Sequence, residues 1–291
     1  MIYRILMIML AFVSLASPME AGLWDGINSF FKKSIKRETP SIKVLIAKDK
    51  GSMDVVVDGP FKGYDPHTGE TILLSKLGKD AVLRVMDGGL QWSEQFPGVH
   101  QLLIVPTFPE TKIKVDGVEY LGSMYFYDVE NKLMVVNKLD IESYLKSTLS
   151  PLNNEANPDE LLSAIAITAR TNSYYQAENP ANPYWSVDGS KVNYHGDINE
   201  SMKLPVNKAI VDTKHMILSR TGTYEGMLTP FMSYWNSPQV KDSIKHIGIG
   251  SRISLKDAQR LAESNKNAAQ LLHEAFPNAS IELILQPKSK K

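Results

Sequence analysis

LMVVNKLDIESYLKSTLSPLNNEANPDELLSAIAITARTNSYY, residues Leu133 to Tyr175, is the stretch on which the fold turns. The β-branched run at its start predicts a strand, and Asp140 stands where an N-cap would open a short helix with Ile141, Tyr144, Leu145 and Leu149 on one face. A polar loop follows, then a longer helix. Asn157 as N-cap, Pro158 at the first helical position and Glu160 three residues past the cap make a capping-box-like start. Leu161, Leu162, Ile165, Ala166 and Ala169, with the small Ser163 and Ala164, leave this helix apolar almost all round. That predicts a central, buried element.

Toward the N-terminus the period shortens. Between residues 42 and 136 the runs IKVLIA, MDVVVDG, TILL, AVLRVMD, HQLLIVP, TKIKVDGVEYLG, SMYFYDV and LMVVN alternate with turn residues, the pattern of a compact β-rich unit. Asp116-Gly117, between KIKV and VEYL, is the clearest hairpin signal. Toward the C-terminus, residues 179–199 form a long loop rich in Pro, Asn, Gly and aromatics. An amphipathic stretch from Val206 to Thr213 comes next, then a strand at His215 to Ser219, the apolar-aromatic run MLTPFMSYW, and a glycine loop HIGIG at His246 to Gly250. A last helix capped by Ser254 carries Leu255, Ala258, Leu261, Ala262, Leu271, Leu272 and Phe276 inward, and SIELIL closes the pattern as a strand. The expected fold class is α+β.

The chain has 291 residues, 43% of them apolar, enough for a sizeable core. Lys plus Arg and Asp plus Glu both count 32, so no global field favours nucleic acid or an anionic membrane surface. The opening MIYRILMIMLAFVSLASP places Arg4 before an apolar run ending in small residues, the form of a secretory signal, with a retained anchor as the lesser reading. Any membrane association is therefore expected only through this N-terminal segment. There is no cysteine, which excludes disulfides, thiolate zinc sites and a cysteine nucleophile, and suits an exported protein of the periplasm or cell envelope. The expected organisation is 1–16 signal, 17–41 spacer, 42–136 β-rich portion, 137–286 helical portion with a cleft, and 287–291 basic tail.

The six histidines show neither HxH nor HExxH spacing, no GxSxG occurs, and HIGIG lacks the strand, helix and acidic partner of a dinucleotide fingerprint. No metal and no cofactor are expected. An arginine on an apolar helix needs partners, so Arg170 is read either as a clamp through Glu142 or Glu160 or as a polar wall of a ligand cleft. Tyr174, Tyr175, Tyr184, Trp185, Tyr194, Tyr234 and Trp235 near the predicted cleft would suit stacking on sugar rings, and core packing accounts for about half of them.

VVNKLDIESYL followed by DELLSAIAITARTNSYY resembles the SpoIID/LytB family, the stage II sporulation protein D and amidase-enhancer domain of cell-wall remodelling proteins. The match rests on Asn137, Leu139, Ile141, Glu142, Tyr144 and Leu145, then on Glu160, Leu162, Ala164, Ala166, Ala169, Arg170 and Thr171. It continues more loosely through Tyr194 to Gly196, Thr213, Tyr234, and the glycine loop with Ala258 and Ala262. The resemblance implies an exported protein acting on peptidoglycan glycan strands stripped of stem peptides, in division, sporulation or wall turnover. Active relatives are lytic transglycosylases, in which one glutamic acid protonates the glycosidic oxygen and then, as carboxylate, helps close a 1,6-anhydro ring without water. One carboxyl suffices if burial keeps it protonated at neutral pH. The family's glutamate falls here on Leu152, so the candidate acid is Glu155. Ile165 and Asn172 are further departures. The implied substrate-binding set is Arg170, Tyr194, His195, Tyr234 and His246. Two functions stay open: a transglycosylase using Glu155, or a catalytically inactive glycan-binding enhancer that recruits or activates a cell-wall amidase.

Overall fold

The structure is a computed structural model that describes residues 34–36, 40–154, 156–180, 182–197, 204–225, 228–232 and 249–285. The predicted signal, most of the spacer and the basic tail lie outside the described residues, as do Glu155, Tyr234, Trp235 and His246.

Thirteen strands precede the first helix: β1 (Ser34–Lys36), β2 (Ser41–Lys50), β3 (Ser52–Asp58), β4 (Phe61–Tyr64), β5 (Thr71–Ser75), β6 (Lys79–Met86), β7 (Gly89–Trp92), β8 (Glu94–Pro97), β9 (Gln101–Pro106), β10 (Lys112–Val115), β11 (Val118–Tyr120), β12 (Ser123–Val129) and β13 (Lys132–Asp140). Then come α1 (Ile141–Leu149), a 3₁₀ turn at Ser150–Asn154, α2 (Asp159–Glu178), β14 (Val187–Asp188), a 3₁₀ turn at Gly189–Lys191, α3 (Pro205–Asp212), β15 (Met216–Arg220), β16 (Phe231–Met232), β17 (Ile249–Gly250), α4 (Leu255–Glu263), α5 (Ala268–Ala275) and β18 (Ala279–Leu285). The α+β class is observed.

Two sheets face one another. One has the order β14-β2-β13-β12-β9-β4-β5, the other β11-β10-β3-β6-β7-β8. Alternation sets their inner faces: Ile42, Val44, Met124 and Phe126 on the first meet Val55, Val57, Leu83 and Ile113 on the second in one buried cluster. Phe61 and Trp92 cross the interface with ring centroids 5.5 Å apart, a pair worth about 0.5–1.5 kcal/mol beyond its buried area. Trp92 also donates its indole N–H to the carbonyls of Val55 and Ala81 at 3.3 and 3.1 Å. The Asp116-Gly117 hairpin forms as read, with both residues at positive φ, 47° and 82°. Strands β4, β7 and β8 were not legible in the sequence, being short and carrying Gly, Gln and Lys where alternation would be sought.

Helix α2 explains its own composition. Leu162, Ala166 and Ala169 pack into the sandwich cluster, while Leu161, Ala164, Ile165 and Ile167 face a second cluster built by α4, α5, β15 and β18. A helix enclosed on both sides has no polar stripe to display. β18 lies between β1 and β15, antiparallel to β15 and parallel to β1, so residues 34–36 of the expected spacer join this sheet as a strand.

The start of α2 differs from expectation. The cap position is Pro158, which makes no side-chain cap bond, and Glu160 reaches away from its own helix to accept the Ala268 N–H at 2.6 Å. That N–H is the first of α5, whose third is held by the Asn267 side chain in a reciprocal box with Gln270. The single last helix of the sequence reading is two. Asn265 at φ 63° ends α4, and Asn267 caps α5.

Glu160→Ala should lower stability by about 1 kcal/mol, read from the urea midpoint at unchanged slope, because the α5 N-terminus loses both an acceptor and a favourable charge. Glu160→Gln, which keeps an acceptor, should lose less.

Candidate functional site

Helix α1 opens as its sequence dictates, with the Asp140 carboxylate accepting the Ser143 N–H at 2.9 Å. Ile141, Tyr144 and Leu145 turn inward. Glu142, on another face of α1, meets Arg170 of α2 in a two-point ion pair: Nε to Oε1 and Nη2 to Oε2, each at 2.8 Å. Nη2 also donates to the Ile210 carbonyl at 2.8 Å, and Nη1 to Thr213 Oγ1 and the Met216 carbonyl, both at 3.3 Å. The guanidinium's five N–H groups are thus all engaged inside the chain. The Arg170 side chain is 0% exposed and that of Glu142 18%. Of the two roles the sequence left open, the geometry is that of the clamp through Glu142. Arg170 has no donor left for a ligand and does not line the cavity described next.

Residues of α1 and α2 also line a cavity of about 250 Å³. Its apolar side comes from Leu145 and Leu149 of α1, Pro151 and Leu152 of the 3₁₀ turn, Ala169 of α2, and Val192. Its polar side comes from Thr148, Asn172, Ser173, Gln176, Lys191 and Asn193, with Tyr144 completing the wall. Burial pushes the Tyr144 phenol further above its ordinary value, which weakens it as a proton donor at neutral pH. Among the described residues no carboxyl lines this space, and no three His, Asp or Glu side chains cluster where they could share a metal ion.

The turn carrying Leu152 is pinned at both ends. Ser150 Oγ donates to the Ser147 carbonyl at 2.9 Å, and Asn153 Oδ1 accepts the Val206 N–H at 3.2 Å, so it serves the start of α3. Leu152 itself packs against both apolar clusters. The position that the resemblance assigns to the acid does face the cavity, and there it carries a hydrocarbon side chain. Glu155, the candidate acid three residues on, lies outside the described residues.

The expected binding residues divide. Tyr194 is core: its ring lies beside those of Tyr144 and Tyr120, with centroids at 5.9 and 6.2 Å, and its hydroxyl donates to Asn137 Oδ1. Burial is the first reason that its phenol is pushed well above the ordinary value. Asn137 in turn donates to the carbonyls of Leu121 and Ser123 at 2.9 and 3.0 Å, so this pair stitches the 189–197 loop to β12 and β13. Gly196 sits at φ 81° with the Glu119 carbonyl where a Cβ would be, 2.2 Å away, which only glycine tolerates. His195 is exposed, and its N–H donates to Ser147 Oγ at 3.1 Å. None of Arg170, Tyr194 and His195 lines the cavity; Tyr234 and His246 lie outside the described residues. Of the residues that do line it, Tyr144, Leu145 and Ala169 belong to the quoted motif, and its polar side was not read as a binding surface. Asn172, Ser173 and Gln176 lie on one face of the C-terminal half of an apolar helix, and that local polarity was the available signal. Asn172 already serves the fold, pairing both amide atoms with the Phe231 backbone at 3.0 and 2.8 Å. Gln176 makes no such bond among the described residues.

Residues 129–219 match the family model described as SpoIID, stage II sporulation protein. This part of the chain is similar to SpoIID domains. Every described cavity residue falls within it. The chain is 29% identical over 260 residues to an uncharacterized protein of Chlamydia muridarum, covering 89% of this chain and 82% of that one. It is 33% identical over 170 residues to an uncharacterized protein of Chlamydia pneumoniae, covering 56% and 61% of the two chains. An uncharacterized protein of Brachyspira hyodysenteriae is 29% identical over 180 residues, 60% of this chain and 47% of its own. The chain thus spans less than two thirds of the last two relatives. No solved structure matches it.

Arg170→Met should destabilise by about 3–5 kcal/mol, since it leaves Glu142 and three further acceptors without their donor. Pairing it with Glu142→Leu should recover more than half of the loss in denaturant titrations, because the stranded carboxylate is the larger part of the cost.

Proposed function

We propose that this chain is an exported cell-wall protein that holds peptidoglycan glycan strands in the α1–α2 cavity without cutting them, and so recruits or activates a wall hydrolase such as an amidase. A SpoIID domain implies a cell-wall-related role in sporulation or peptidoglycan processing. The observation that carries the finer reading is Leu152 in the cavity wall, where the resemblance assigns the acid. Glycosidic cleavage needs a proton delivered to the leaving oxygen, and leucine has none to give. Binding needs less. The side with Leu145, Leu149, Leu152 and Val192 offers an apolar floor for a ring face, while Gln176 and Asn193 offer neutral donors and acceptors for hydroxyl and acetamido groups. Export is motivated by the charged-then-apolar N-terminal run.

The second reading keeps the enzyme. Glu155 follows three residues after the cavity-lining Leu152, close enough in the chain for its carboxyl to serve as acid and then base. The two readings separate in one experiment. Purified protein incubated with strands freed of stem peptides should co-sediment with them and release no 1,6-anhydro-muramic ends, and Leu152→Trp, which fills the cavity, should weaken retention at least tenfold. Anhydro products that vanish in Glu155→Gln would replace the binding reading with the enzymatic one. Loss of neither binding nor products in Leu152→Trp would move the site elsewhere.

A further inference from the structure

The outer face of the seven-stranded sheet is not the polar surface that an antiparallel sheet usually turns to water. Its middle strands display Lys43 and Leu45 on β2, Tyr125 and Tyr127 on β12, and Val136 and Lys138 on β13. Residues 182–186 fold over part of it. Asn182 Oδ1 accepts the N–H groups of Tyr184 and Trp185 at 2.8 and 3.0 Å, and the Ser186 N–H donates to the Lys43 carbonyl at 2.8 Å. This cover buries Leu45 and Val136 together with Met134 and Tyr127, and core packing accounts for those four.

Packing accounts only in part for the rest: Tyr125 and Trp185 lean on this cluster. Tyr184 remains 39% exposed, set edge-on to Tyr127 at 4.9 Å, and Tyr125 and Trp185 stay half-buried beside it. Lys43 Nζ lies 4.7 Å from the centre of the Tyr125 ring, and Lys138 is the cross-strand partner of Lys43. Neither ammonium has a carboxylate within ion-pair distance among the described residues. Burial first, and the Lys138 charge second, push the Lys43 ammonium below its ordinary value. Two like charges placed opposite each other on a sheet cost stability, and an anion bound between them relieves that cost.

We propose that this face is a second platform for an acidic glycan chain, with Tyr184 and Trp185 taking the apolar face of a sugar ring and Lys43 and Lys138 pairing with carboxylates carried by the sugars. The inference rests on the glycan reading of the cavity and extends it. Amino-sugar strands freed of peptide expose a carboxylate on each lactyl ether, so the two lysines select for strands in that state. Chain geometry ties the two places together: Trp185 precedes the cavity residue Lys191 by six residues, at most about 20 Å of extended backbone, so one extended strand can lie across both.

The test compares peptide-free strands with the same strands after reduction of their carboxyls to alcohols, by co-sedimentation at low and high salt. The Lys43→Gln, Lys138→Gln double variant should bind the carboxylated strand about tenfold more weakly at low salt, lose most of its salt dependence, and bind the reduced strand as the parent does. Tyr184→Ala should weaken retention of both strands. Unchanged affinity in the double variant and in Tyr184→Ala, with binding still lost in Leu152→Trp, overturns the platform and leaves the cavity reading standing. A parent protein that retains neither strand removes both. If the lysine variant unfolds early by its thermal midpoint, Tyr184→Ala decides alone, and parent-like retention by it overturns the proposal.

Discussion

The fold depends on one desolvated cation. Burying a guanidinium costs several kcal/mol unless every donor finds an acceptor, and Arg170 meets that condition by drawing acceptors from four residues: Glu142 of α1, Ile210 of α3, Thr213 just beyond it, and Met216 of β15. The consequence is geometric. Those elements cannot shift independently without stranding a charge, so the spacing of α1 and α2 is held. The cavity is lined by residues of the same two helices, and the clamp therefore constrains its width. The Tyr194–Asn137 bond does the corresponding work for the loop that forms the third wall.

Much of this architecture was legible. Asp140 as a cap, Asp116-Gly117 as a hairpin and the two-sided burial of α2 all follow from local chemistry, where one side chain and its own backbone decide the outcome. What was not legible involves partners distant in sequence. Glu160 has the spacing of a capping-box residue and instead satisfies a helix 108 positions away, a choice that only the packed state presents. The motif residues show a related limit. Asn137, Arg170, Tyr194 and Gly196 carry the resemblance, and each is spent on holding the scaffold. A motif match marks residues by identity and is silent on whether they face a ligand or a neighbouring helix. Of the residues that face the cavity, Tyr144, Leu145 and Ala169 belong to the quoted motif, whereas the polar Gln176 and Asn193 belong to none.

Leu152 joins these two themes. Its turn is pinned at Ser150 and Asn153, and its side chain contacts both apolar clusters, so the position is shaped to bury hydrocarbon next to the cavity. An ionised carboxylate there would lose those contacts and be desolvated as well. The stretch around the site matches the SpoIID family model, whereas the side chain at the decisive position has the chemistry of a packing residue.

The three-stranded sheet adds a constraint in time. β18 is the middle strand, between β1 and β15, yet it is the last strand of the described chain. During vectorial synthesis its two neighbours wait unpaired until residues 279–285 emerge, and the cluster that encloses the second face of α2 cannot close before then. The sandwich draws its strands from residues 41–140, with two late residues of β14 added at one edge. Assembly is therefore ordered along the chain: the β layers come first, and the helical layer that shapes the cavity locks only when the final strand slides in.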